Sequence, residues 1–98
     1  MSYKLKLRQR AEDQVKAAYE YYENAQIGLG GRFLRNLDQQ LQYIRHYLGH
    51  FPRLIGDVRQ ALVYRFPFLI VYEQIEDTVV VYSVFHTSQN PDRKFENG

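Results

Sequence analysis

The residues best equipped for chemistry are few: the histidines His46, His50 and His86, and a group of arginines that includes Arg59, Arg65 and Arg93. His86 is the last residue of a strongly apolar stretch that opens with Arg65-Phe66-Pro67, so a base and a guanidinium bracket one hydrophobic segment. An imidazole is the side chain that titrates nearest neutrality and can act as acid or base. Guanidinium pairs with phosphate or carboxylate through two parallel hydrogen bonds. Arg59, Ala61, Val63 and Arg65 alternate, which on a strand puts both arginines on one face. If helices leave that face open, the arginines, His86 and the tyrosines Tyr64, Tyr72 and Tyr82 form a groove for a phosphate backbone or an acidic peptide.

Other chemistries find little support in these residues. The three histidines come without an H-E-x-x-H pair, a cysteine pair or an acidic calcium loop, so no metal is expected. "GLGG" at 28–31 lacks the lysine and spacing of a nucleotide cradle and reads as a turn, so no cofactor is expected either. His46 and His50 fall one turn apart near the end of a helix, where histidine suits the helix dipole. A lone histidine at a strand end, such as His86, is more often structural than catalytic.

The 98 residues carry a formal charge of +2, unevenly spread. Residues 1–10 hold four cations and no acid, and residues 32–65 hold six arginines against Asp38 and Asp57. Such asymmetry steers acidic or polyanionic partners even when the total is small. No cysteine is present, so there is no disulfide framework to suggest an oxidising compartment. With no apolar run near the roughly 20 residues of a membrane span and no signal-like start, the expectation is a cytoplasmic protein.

The elements that must position these residues follow from periodicity. Tyr3, Leu5 and Leu7 alternate with cations, which predicts a strand near 3–8. Ala11, Val15, Ala18 and Tyr22 form one helical stripe, predicting a helix near 11–24. Phe33, Leu37, Leu41, Ile44 and Leu48 form another, predicting a helix near 30–48 that Gly49 and Pro52 end. Strands are expected near 57–64, 68–75 and 78–86, rich in Val, Ile, Tyr and Phe. The sum is one α+β domain over 1–98 with a polar tail from about 90: β-α-α-β-β-β, a small antiparallel sheet with a helical hairpin on one face.

"YYENAQIGLGGRFLRNLDQQL", "FP", "VRQALVYRFPFLIVYEQ" and "VVVYSVFHTSQNP" resemble, in order and interval, the segments of the RelE/ParE superfamily, toxins of type II toxin–antitoxin modules. The resemblance runs from Tyr3 to about Pro91 and is nearest the ParE-like, plasmid-stabilisation branch. Two positions depart from the pattern, Gln89 where an arginine is usual and Phe68 where "RFPY" has tyrosine.

The resemblance implies a cognate antitoxin, whose acidic, partly disordered segment folds over the basic face. It also implies one of two activities. RelE-like members cleave messenger RNA on the ribosome, for which Arg59, Arg65, Tyr82, His86 and Arg93 are the residues available here, with His86, Arg65 and Tyr82 as catalytic candidates. ParE-like members instead poison DNA gyrase and do no known chemistry themselves. The RelE-type lysine cluster is not visible, which favours the gyrase reading, with Arg59, Arg65, His86 and Arg93 as binding residues. A non-toxic protein- or nucleic-acid-binding module on the same fold is the third possibility.

Overall fold

A computed structural model describes residues 2–88. Strand β1 (Lys4–Leu7) leads into helix α1 (Gln9–Ala25), and α2 (Leu29–His46) follows. After one 3₁₀ turn at Leu48–His50 come β2 (Arg53–Ile55), β3 (Val58–Leu62), β4 (Phe68–Ile75) and β5 (Thr78–His86). The five strands form one sheet in the order β1-β5-β4-β3-β2, with the helical hairpin on one face.

The expected elements are all present, with two differences. Strand β2 was not expected, because its three residues follow Pro52 too closely to show an alternation. The sheet is also mixed: β3, β4 and β5 are an antiparallel meander, but β1 pairs with β5 in parallel, Leu5 opposite Val79 and Leu7 opposite Val81. The cause lies in the hairpin. Helix α1 continues along β5, and α2 brings the chain back to where β1 began, so the Tyr3 amide donates to the Arg45 carbonyl (3.1 Å). A meander of three main strands starting there must end running the same way as β1.

The core lies between the hairpin and the sheet. Phe33, Leu37, Leu41 and Ile44 of α2 meet Ile70, Tyr72, Val79 and Val81, all buried. Four rings, Tyr22, Phe33, Phe66 and Phe68, meet edge-on or tilted, with centroids 5.0–6.2 Å apart. Such geometry adds about 0.5–1.5 kcal/mol per pair beyond area burial.

Two polar devices fix the hairpin and the sheet beneath it. At the junction Gly28 adopts φ +91°, which a side chain disfavours, and the Glu23 carboxylate accepts the amides of Gly28 and Gly30 (both 3.0 Å). A side chain of α1 thus caps α2, satisfying amides that a helix start leaves unpaired. At the other end the buried Tyr72 hydroxyl donates to the Leu48 carbonyl (3.0 Å).

Two outcomes follow. A Cβ at Gly30 would lie 2.8 Å from both the Tyr19 ring and the Tyr19 carbonyl oxygen. Gly30→Ala should therefore force the helices apart and cost about 1–3 kcal/mol, read as a fall of several degrees in Tm, whereas Gly49→Ala, with open space around it, should not. Burial pushes the Tyr72 phenol up to about 12, with the Arg59 charge opposing. Because the folded value lies above the unfolded one, stability is complete below about pH 10 and falls as pH rises toward 12. Tyr72→Phe should lose about 1 kcal/mol at neutral pH with the hydroxyl's bond. Its stability should then decline less steeply than the parent's over pH 10–12, as measured by denaturant unfolding at each pH.

Candidate functional site

His86 ends β5 directly opposite Phe68, on the helix side of the sheet, with the two rings edge to face at 5.3 Å. The Ser88 amide donates to His86 Nδ1 (3.1 Å), and the Ser88 hydroxyl lies 2.7 Å from the same nitrogen. Nδ1 is therefore an acceptor, and in the neutral ring the proton sits on Nε2. Beside this imidazole runs an open groove of about 390 Å³ between α1 and β5, walled by Ala17, Tyr21 and Tyr22 on one side and Phe68 and Val84 on the other.

Gln14 closes one end of the groove. Beyond Val81, β5 has no strand partner on its β1 side among the described residues. There Gln14 Oε1 accepts from the Val84 amide (2.8 Å) and the Ser83 hydroxyl (3.1 Å), tying helix to strand. Sequence reasoning missed this groove. Gln14 and Tyr21 lie off the apolar stripe of α1, and only the exposed aromatic Tyr21 beside Tyr22 hinted that a second face of the helix was in use.

Tyr82 lies elsewhere. It falls at an irregularity of the β4–β5 ladder and donates to Glu73 (2.6 Å) on the face away from the helices. The Arg8 guanidinium sits 5.9 Å from the centre of its ring. The bond to Glu73, followed by burial, raises the Tyr82 phenol above its ordinary range, so Tyr82 is held as a proton donor to a carboxylate.

The two arginines expected on one face are not brought together, because β3 ends at Leu62 and strand alternation stops there. Arg59 is paired with Tyr72 and turns to the helix side, where its guanidinium donates to the Phe51 carbonyl (2.6 Å). Arg65 sits in the β3–β4 turn at φ +67°, exposed, with its guanidinium 5.2 Å from the centre of the Tyr64 ring. Of the tyrosines named with them, Tyr72 is buried and Tyr64 is exposed. Arg93 and Gln89 lie outside the described residues.

The site is therefore a groove with a histidine at its mouth and an exposed arginine in the turn preceding Phe68. His86, Tyr82 and Arg65 share no hydrogen bond or ring contact among the described residues. Among those residues there is also no group of three histidine or acidic side chains placed to hold a metal, and no helix long and apolar enough to cross a membrane.

The comparisons with known proteins agree with this architecture. No curated protein sequence matches the chain. Among solved structures, a chain of the chromosomal ParDE TA system from P. aeruginosa superposes with a TM-score of 0.74 at 16% identity, over 89% of this chain and 98% of that one. At that identity the likeness speaks for the fold. Residues 5–91 match the family described as the ParE toxin of type II toxin-antitoxin system, parDE, and with nearly its whole length covered, the chain belongs to that family.

Proposed function

We propose that this chain is the toxin of a two-protein module, that it acts by binding and inhibiting DNA gyrase, and that a cognate antitoxin neutralises it. Membership of a toxin–antitoxin family implies the antitoxin. The observation that carries the inhibitor reading is the separation of the groups an endoribonuclease would need. Acid and base must both reach the scissile phosphate, within about 3 Å of the protons they move. His86 lies on the helix side beside Phe68, Tyr82 lies on the opposite face against Glu73, and Arg65 is out in the turn. A binding protein needs no such convergence.

The antitoxin reading rests on surfaces and charge. The sheet ends in two short edges, β1 and β2, and carries exposed Ile55, Leu62 and Ile75. A partly disordered acidic segment can pair with such an edge, place apolar side chains beside it and meet the arginine-rich stretch 32–65. Ordering that segment costs entropy, which the apolar burial offsets.

Purified protein should inhibit gyrase supercoiling or trap cleaved DNA, and co-expression with the neighbouring reading frame should yield a complex that no longer does so. Messenger RNA on translating ribosomes should stay intact. Site-specific cuts that vanish in His86→Ala would replace this reading with the RelE-like one. A protein that leaves both gyrase and messenger RNA untouched would be a non-toxic binding module.

The two arginines should separate in the same assays. Arg59→Ala removes a charged donor from the Phe51 carbonyl and should cost about 1.5–3 kcal/mol of stability, with normal antitoxin binding once the protein is folded. Arg65→Ala should leave Tm unchanged and weaken antitoxin or gyrase binding about tenfold. Unaltered binding by Arg65→Ala would remove the turn from the functional surface.

A further inference from the structure

A second cluster of side chains, which the proposed toxin action does not use, lies where α2 ends. Tyr47 and His50 stack with centroids 5.3 Å apart and planes 16° from parallel. Tyr43 adds a third ring, 4.8 Å from Tyr47, and its hydroxyl shares a 2.8 Å hydrogen bond with His50 Nδ1. The His46 ring lies 6.2 Å from Tyr47. These rings are at the surface: Tyr47 is 52% and Tyr43 41% exposed, and both histidines are exposed.

The stack is ordered by the fold beneath it. Tyr43 packs edge-on against Phe51 (5.7 Å), Phe51 against Tyr72 (6.3 Å), and the Tyr72 hydroxyl holds the 3₁₀ turn through the Leu48 carbonyl. Aromatic side chains held in place with open surface are the means by which proteins stack unpaired bases. The segment that carries them has the matching charge. Residues 43–56 contain Arg45, His46, His50 and Arg53 and no acid. Arg45 is taken by the Tyr3 carbonyl and Gln42. Arg53 is exposed and only loosely paired, 4.0 Å from Asp57, a contact worth little at the surface.

We propose that the Tyr43–Tyr47–His50 stack and Arg53 form a binding site for single-stranded nucleic acid, the rings taking bases and Arg53 a phosphate. An acidic peptide would use the arginine but gain little from stacked rings, so the aromatic geometry selects the nucleic acid. The site is set apart from the His86 groove. Tyr72, which anchors it, lies four residues along β4 from Phe68, roughly 13 Å at strand rise, so the proposal does not depend on the gyrase reading.

The test is fluorescence anisotropy of a labelled oligothymidylate of about ten nucleotides with the full chain at low ionic strength. Binding should be measurable and should weaken with added salt. It should fall about tenfold in Tyr47→Ala and in Tyr47→Leu, which lacks a π face, and stay near the parent value in Tyr47→Phe. Arg53→Gln should weaken binding severalfold and flatten the salt dependence. Thermal melts identify any variant that fails to fold, and the remaining Tyr47 variant and Arg53→Gln then decide. No binding by the parent, or equal binding by folded Tyr47→Leu and Tyr47→Phe, would overturn the proposal. A polyglutamate peptide that binds as tightly as the oligonucleotide and ignores Tyr47→Leu would make the patch an acidic-peptide site instead.

Discussion

The packing of Phe66 against the rings of Tyr22 and Phe33, which in turn hold Phe68, is the constraint on which most of the structure depends. Each ring comes from a different element: α1, α2, the β3–β4 turn and β4. Removing any one would open a void where both helices meet the sheet. The turn has to deliver Phe66 inward, and this explains an otherwise costly backbone. Arg65 adopts a left-handed φ of +67°, which non-glycine residues seldom take and which costs of order 1–3 kcal/mol. With that residue reversed, Phe66 enters the core and the guanidinium faces solvent. The exposed arginine and the buried aromatic are two consequences of one turn.

The same ring cluster positions the histidine. Phe68 touches Phe33 and Tyr22 and also the His86 ring, so the imidazole is held by contact with the core and by Ser88. Phe68 is also one of the two departures from the family pattern seen in the sequence. In this position it is buried, and its contribution is packing against the groove floor. Helix α2 holds the far side, where Gln40 donates to the carbonyl of Leu62, the last paired residue of β3, and Asn36 to that of Tyr64 just beyond it.

Elements with a period were legible in the sequence, and contacts without one were not. The stripes Ala11–Tyr22 and Phe33–Leu48 gave the helices because burial imposes the period directly, and the runs rich in Val, Ile, Tyr and Phe gave the meander by composition. The parallel sense of β1 depends on where α2 ends, a tertiary fact that no local pattern carries. The shared face expected for Arg59 and Arg65 failed for a related reason. Alternation persists only while the ladder does, and the ladder stops at Leu62. His86 and the "RFP" turn were recognisable because an imidazole and a proline stand out by type. Gln14 and Glu23 were not, since one amide or carboxylate on a helix looks like solvated surface until its partner, here the Val84 amide or the Gly30 amide, is in place.

The distribution of polar groups bears on which kind of toxin this fold builds. Active sites tend to hold titratable groups whose surroundings push their proton affinities toward a task. Among the described residues the large displacement falls on Tyr72, and its cause is burial as a strut between β4 and the 3₁₀ turn. Tyr82 is raised mainly by donating to Glu73, and Asp77 is lowered mainly by Thr78 and then by Lys4 at an exposed hairpin end. Each of these groups is stabilised in the protonation state it already has at neutral pH, and among the described residues no buried side-chain polar atom is left without a partner. These interactions serve the fold of the chain. Its open features are the groove beside His86, the Arg65 turn, the short sheet edges and the aromatic stack at the end of α2, which are surfaces suited to recognition. These are the surfaces through which the proposed inhibition, by occupying a target, would act.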